Sequence, residues 1–184
     1  KRNNGKAVKT DIGHKTGTDR IFEVFEKILS KKPKIIINLQ GDMPNINPKD
    51  INFLIEHMIT EQCDIGTLAS LIDEHKDFED QNVVKVLTEK EIKIGEFCEA
   101  KDFLRKISNH LDKKIYHHIG IYAFTNKALL RYVSLKRSKH ETERNLEQMR
   151  ALDNKMKIHV GLVDTPPLSV DTEEDLEQIK KILR

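Results

Sequence analysis

Apolar positions along the chain fall into short blocks whose spacing switches between the two-residue period of a strand and the three-to-four-residue period of a helix. Ile21, Val24, Phe25, Ile28 and Leu29 recur at helical spacing and predict a helix over 18–30, with Thr16 or Thr18 as its cap. The β-branched run Ile35-Ile36-Ile37-Asn38-Leu39 predicts a buried strand over 34–39. Asn47-Pro48 reads as a cap and first helical position. It opens a helix to about Ile59, with Ile51, Leu54, Ile55, Met58 and Ile59 on its apolar face. Further strands are expected at 65–71, 83–87, 115–125 and 157–163, and helices near 126–133, 141–152 and 172–183. Thr172 and Asp175 form a capping-box pattern with aspartate in the usual glutamate position. Residues 73–80 read as a charged loop, and 89–114 are too heavily charged to assign. Strands alternating with helices predict an α/β fold with a mixed sheet, as one domain over 1–184.

Five places in this pattern carry candidate chemistry. The strand over 34–39 ends at Gln40-Gly41-Asp42-Met43-Pro44. In open α/β sheets ligands bind outside the carboxyl ends of strands, and an aspartate there can hold a divalent metal that serves phosphate chemistry. An Asp-containing turn is the ordinary reading. The strand over 115–125 puts Ile115, His117, Ile119, Ile121 and Ala123 on one side, toward the core. Tyr116, His118, Gly120, Tyr122 and Phe124 lie on the other. His118 and Tyr122 then line either a polar pocket opened by Gly120 or a solvated sheet face, and His117 reads as structural.

Glu147 and Gln148 can hydrogen-bond sugar hydroxyls, or Glu143, Glu147 and Arg150 form a salt-bridged outer helix face. Asp171 is either a cap aspartate or a second metal carboxylate beside Asp42. Gly17-Thr18-Asp19-Arg20 opens a helix whose backbone N–H groups and guanidinium can meet an anion, or is an ordinary helix start.

Composition narrows the classes. The 184 residues are 38% hydrophobic and 34% charged, with 32 basic and 30 acidic residues well mixed and a net charge of +2. This suits a soluble globular protein rather than a dedicated nucleic-acid or membrane binder. Two cysteines, Cys63 and Cys98, make neither a zinc-type cluster nor a disulfide framework by spacing. No apolar stretch approaches a membrane span and no signal peptide is visible, so a cytoplasmic setting is expected.

Several segments together carry a resemblance. They are His14-Lys15-Thr16-Gly17-Thr18-Asp19-Arg20, Asn38 to Pro44, Asn82-Val83-Val84-Lys85-Val86, His118-Ile119-Gly120-Ile121-Tyr122, Leu146-Glu147-Gln148-Met149-Arg150 and Val170-Asp171-Thr172. In this order the chain resembles the 3-deoxy-manno-octulosonate cytidylyltransferase (CMP-Kdo synthetase) family. The resemblance implies a nucleotide-diphospho-sugar transferase-like, Rossmann-like mixed sheet flanked by helices, often dimeric. It implies joining of CTP to the sugar acid Kdo, giving CMP-Kdo and pyrophosphate for lipopolysaccharide synthesis. By motif, Asp42 and Asp171 would hold Mg2+, and Gln40, His118, Tyr122, Glu147 and Gln148 would hold the sugar acid, with His118 steering it or assisting proton removal. Thr16, Gly17 and Arg20 would lie near cytosine and ribose.

Departures from the family pattern are also visible. The chain begins after the segment that in relatives forms a first strand and a basic phosphate loop, so it is expected to be N-terminally incomplete. Met43 stands where many relatives carry glutamate, and Glu99 where many carry a basic residue, with Lys101 or Arg105 as candidates to compensate. The alternative expectations are a cytidylyltransferase for another acidic sugar, or a non-catalytic remnant or partner subunit.

Overall fold

The computed structural model describes residues 5–72, 75–107, 114–170 and 172–182. Helix α1 (Gly17–Glu23) starts where the Thr16 hydroxyl accepts from Asp19 N, and runs into a π-helical turn at Val24–Ile28. Strand β1 (Ile35–Asn38) leads to α2 (Pro48–Thr60), where the Asn47 side chain accepts from Lys49 N. Strand β2 (Ile65–Ser70) follows, then α3 (His75–Glu79), β3 (Lys85–Thr88), β4 (Phe97–Leu104) and β5 (Ile115–Thr125). The chain continues through α4 (Asn126–Ser134), α5 (Lys139–Arg144), α6 (Met149–Asp153), β6 (Ile158–Leu162) and α7 (Glu173–Ile182).

Among the described residues six strands form one mixed sheet in the order β1-β5-β2-β6-β4-β3. Only β2 and β6 run parallel; the other pairs are antiparallel. The long β5 is the hub, holding β2 along one edge and β1 and then β3 along the other.

Both faces of the sheet are buried. Tyr116, Tyr122 and Phe124 of β5 pack with Phe25, Leu129, Tyr132 and Met149 beneath α1, α4 and α6. Ile119, Ile121 and Ala123 pack with Leu54, Met58 and Leu68 beneath α2. The solvated face considered for His118 and Tyr122 is therefore a covered one: helices on both sides are what alternating connections to this sheet require.

Two charged stretches hold more structure than their sequence suggests. Residues 73–80 contain α3, and 89–114 contain β4, whose Cys98, Ala100 and Phe103 enter the core while charged side chains line its other face. In α7 the capping box forms reciprocally: Thr172 N donates to Asp175 Oδ2 at 2.9 Å and Asp175 N to Thr172 Oγ1 at 3.2 Å.

The single helix expected over 141–152 is two short helices. Asn145 sits in the left-handed region at φ 53°, ends α5, and throws residues 145–148 into a turn. A buried ion pair bridges the break. Arg150 Nε and Nη2 donate to Glu141 Oε2 and Oε1 at 2.9 and 2.6 Å. Glu141 is wholly buried and Arg150 is 3% exposed, so neither charge has water to fall back on. Arg137 donates a further bond to Glu141 at 3.0 Å, and Arg150 stacks over the Tyr132 ring, 4.5 Å from its centroid. The outer-face network of Glu143, Glu147 and Arg150 does not form: Arg150 points inward, and Glu143 meets Lys139 on the surface instead.

Breaking a buried pair from one side strands the other charge and costs about 3–5 kcal/mol. Arg150→Ala is expected to lower unfolding free energy by about that much, while the exposed Glu143→Ala stays within about 0.5 kcal/mol. Urea denaturation of the two variants checks this, and comparable small losses would contradict it.

Candidate active site

A cleft of about 370 Å³ opens at the carboxyl ends of β1 and β2. Gln40, Asp42, His118, Tyr122, Glu147 and Gln148 line it together, with Asn82, Gly120 and Ser169 among their neighbours. Residues separated by more than a hundred positions in sequence thus meet where an open α/β sheet places its ligands.

His118 is fixed by β2. Its Nε2 lies 2.9 Å from Thr67 Oγ1, and that hydroxyl also lies 2.7 Å from the Ile121 carbonyl oxygen and 3.2 Å from that of Ile119. A hydroxyl has one hydrogen, and carbonyls only accept, so Thr67 donates to the carbonyls and accepts from His118 Nε2–H. The Nδ1 lone pair of the neutral ring is left as an acceptor. Phe103 meets the ring edge-on at 5.0 Å, and Tyr122 tilts toward it at 5.5 Å. Between Thr67 and Leu68 the β2–β5 register skips Gly120 and Ile121, a bulge that widens the strand at the cleft. Burial, with His117 adding to it, pushes His118 down from 6.5 to about 3. His117 itself is half-buried at the cleft, and its ring makes no hydrogen bond among the described residues.

Tyr122 is buried, and its hydroxyl has no hydrogen-bond partner among the described residues. Burial and the nearby Glu147 raise it well above the ordinary tyrosine value. Glu147 stands on the turn between α5 and α6. Tyr132 Oη donates to its carbonyl at 3.0 Å, and Thr18 N donates to its Oε2 at 3.4 Å. Burial raises its carboxyl above the usual range, against the bonds from Thr18 and Thr16. The same turn is gripped from below by Arg105, whose guanidinium donates to the carbonyls of Arg144, Asn145 and Gln81 at 3.0, 3.0 and 2.8 Å.

The opening of α1 approaches from the β1 side. A Cβ at Gly17 would stand 3.2 Å from Gln40 Nε2 and 3.3 Å from Asn38 Nδ2, so glycine lets the helix start close over both amides. Asn38 Nδ2 is buried without an acceptor among the described residues, a donor that a ligand carbonyl or ring nitrogen can satisfy. Thr16 caps α1 and Gly17 faces the amides, whereas Arg20 lies outside the cleft, donating to Thr10 Oγ1 at 2.5 Å and Asp11 O at 3.1 Å. Asp11 N and His14 Nε2 both bind Glu23, and these bonds, with Lys27, bring its carboxyl to about 2. Residues 10–14 are thereby strapped onto α1.

Asp42 is exposed, and its carboxylate has no partner among the described residues. Val170 N donates to the Asp42 carbonyl at 2.9 Å, and Leu168 N to Asn45 Oδ1 at 2.9 Å, so the segment after β6 is bonded to this loop. Asp171 lies outside the described residues. A free, hard-oxygen carboxylate on the cleft wall fits magnesium, which takes one or two protein carboxylates and fills its octahedron with water and substrate phosphate.

The two residues that depart from the family pattern also have clear places. Met43 is buried and packs under α2. Glu99 pairs with Lys101 at 3.1 Å and sits opposite His159 in the β4–β6 ladder, outside the cleft. Thr67 carries no signal for the site in sequence, because a polar residue within a strand reads as ordinary composition, and Asn38 enters only as the first residue of the Asn38 to Pro44 segment.

A family profile described as cytidylyltransferase matches residues 1–158. The 3-deoxy-manno-octulosonate cytidylyltransferase of Rhizobium johnstonii is 40% identical over 179 residues, covering 97% of this chain and 70% of the relative. That of Bartonella tribocorum is 42% identical over 175 residues, covering 92% and 70%. A solved structure of CMP:2-keto-3-deoxy-manno-octonic acid synthetase complexed with CTP superposes with a TM-score of 0.84 at 30% identity, covering 99% of this chain and 73% of that one.

His118 makes stability depend on pH. The unfolded ring takes up a proton near 6.5 and the folded ring only near 3, so the stabilisation is complete above 6.5 and is lost as pH falls through that window. The urea midpoint is expected to drop on acidification across this range, and His118→Gln to flatten that dependence. An unchanged slope in the variant would contradict the neutral, buried histidine.

Proposed function

This chain belongs to the 3-deoxy-manno-octulosonate cytidylyltransferase family, and we propose that it joins CTP to 3-deoxy-manno-octulosonate, giving the CMP-sugar for lipopolysaccharide synthesis and pyrophosphate. The observation that carries this reading is the meeting of Gln40, Asp42, His118, Tyr122, Glu147 and Gln148 in one cleft at the carboxyl ends of the strands. In the reaction the anomeric hydroxyl oxygen of the sugar bonds to the α-phosphorus. The bond from that phosphorus to the pyrophosphate oxygen breaks, and the hydroxyl proton is lost to solvent.

Each residue type suits a part. A neutral His118 with its Nδ1 lone pair available orients a sugar hydroxyl. A ring held near 3 is a weak base, which favours steering over proton removal. Tyr122 Oη donates, Glu147 accepts, and the amides of Gln40 and Gln148 do both, a set matched to a polyhydroxy acid. Thr16 and Gly17, beside the unsatisfied Asn38 amide, suit cytosine and ribose, while Arg20 holds the 10–14 strap. Asp42, with Asp171, would hold magnesium, which when bound screens the triphosphate and stabilises the leaving pyrophosphate. Positioning and electrostatics then supply most of the rate. The same proposal has the chain acting in the cytoplasm as a homodimer, with neither nucleic acid nor membrane as partner; no helix among the described residues is long and apolar enough to cross a membrane.

Pyrophosphate release with CTP, magnesium and a panel of acidic sugars tests the proposal. Turnover is expected with 3-deoxy-manno-octulosonate, and Asp42→Ala is expected to lose on the order of 10²-fold or more. Glu147→Gln is expected to raise KM for the sugar by roughly 10-fold, leaving KM for CTP unchanged. Equal turnover by Asp42→Ala would sink the metal assignment. A folded chain with no turnover on any sugar would favour a non-catalytic role.

A further inference from the structure

On the α2 face of the sheet, at the amino-terminal ends of β2 and β6, three metal-ligating side chains converge from three separate elements. His57 lies in the last turn of α2, Cys63 just before β2, and His159 in β6, where it is registered against Gly66. One ligand atom of each lies within 4.8 Å of the other two, and His57 Nε2 is 2.8 Å from His159 Nδ1. In β6 the residues Ile158, Val160 and Leu162 enter the core under α4 and α6, so alternation turns His159 toward α2. The cleft of the proposed reaction lies at the other end of these strands, and none of the three residues lines it.

We propose that His57, Cys63 and His159 form a site for a thiophilic divalent ion, Zn2+, which clamps the end of α2 to the start of β2 and to β6. Two imidazoles and one thiolate are a known donor set for zinc, with a fourth position left to water. Tetrahedral zinc spaces such donor atoms roughly 3.3–3.6 Å apart, so binding needs the imidazoles, now 2.8 Å apart, to part by about half an ångström, and Cys63, within 4.8 Å of both, to close by at most about 1.5 Å. The Cys63 thiol donates to Met58 Sδ at 3.4 Å, a soft thioether beside the sulfur that would become the ligand. Met58 Sδ also sits where a Cβ on Gly66 would lie, 2.8 Å away, so glycine at 66 is what admits the sulfur-rich corner.

The surroundings hold the ligands in place. The His57 ring stacks flat on Phe97, with centroids 3.6 Å apart and planes within 7°, and Phe53 meets Phe97 at 4.5 Å. Glu61 faces both imidazoles, Glu99 faces His159 and Asp64 faces Cys63, while Lys157 lies near His159 and Lys90 lines the groove beside His57. Burial keeps both imidazoles neutral at pH 7, as ligation requires, and it pushes the Cys63 thiol up to about 11, so uptake of the ion must release that proton. A groove lined by Glu56, Thr60, Glu61 and Glu96 runs to His57 and gives an ion a route in.

The test is titration of the full chain, freed of metal and kept reduced, with Co2+ and then Zn2+. One equivalent of cobalt is expected to produce a thiolate-to-cobalt charge-transfer band and the intense visible bands of tetrahedral cobalt. Zinc is expected to displace it and to raise Tm. Cys63→Ser should abolish the charge-transfer band, and His159→Gln should weaken affinity by more than the roughly 10–100-fold typical of outer-shell changes. Asp42→Ala should bind as the wild type does. Far-UV circular dichroism shows that each variant is folded; His159 is only half-buried, so its replacement keeps the test open should Cys63→Ser unfold. Absence of the band in folded wild-type protein, or uptake that survives both Cys63→Ser and His159→Gln, would overturn the proposal.

Discussion

The cleft depends on a turn that has no regular structure of its own. Residues 145–148 are held by the Glu141–Arg150 pair behind them, by the Arg105 fork beneath them and by Tyr132 against the Glu147 carbonyl. Burying two charges is costly, and a well-packed apolar pair can be as stable. Here the pair also sets position. Its partners on α5 and α6 bracket the left-handed Asn145, and Arg150 reaches on to Asp19 of α1 at 3.5 Å. One guanidinium thereby joins the helix that opens over the Asn38 and Gln40 amides to the turn that presents Glu147 and Gln148.

That arrangement accounts for the uneven electrostatics of the site. Its floor is dry: His118 is kept neutral, Tyr122 keeps its proton, and Glu147 is raised by burial. Its rim is wet, with Asp42 exposed and unpaired among the described residues. A polyhydroxy ligand suits the floor, where hydrogen bonds are strengthened by low dielectric and orientation is fixed. A hydrated cation and phosphates suit the rim, where the charge of a triphosphate need not be fully desolvated. The Thr67 hydroxyl links floor and sheet, since its own bond to the β5 backbone decides which imidazole nitrogen of His118 is free.

Much of this was legible in sequence where local chemistry and tertiary demand agree. The isoleucine run of β1, the Asn47-Pro48 start of α2 and the alternation in β5 each state their structure directly. The gathering of Gln40, Asp42, His118, Tyr122, Glu147 and Gln148 is legible only through the ordered family motifs, because no local pattern brings positions 40 and 147 together. Elsewhere burial overrode composition. Glu141 and Arg150 look like surface charges and are core. Strand β4 hides Cys98, Ala100 and Phe103 among lysines and acids. Asn145 breaks a helix that apolar spacing carries straight through, because left-handed backbone leaves no periodic signal.

If the buried pair acts on the sugar subsite through the 145–148 turn, its loss is felt by one substrate more than by the other. The direct measurement is pyrophosphate release by Glu141→Gln as a function of each substrate. A rise in KM for 3-deoxy-manno-octulosonate that is larger than any rise in KM for CTP is expected, in protein that remains folded. Equal increases for both substrates, or no change in either, would contradict it.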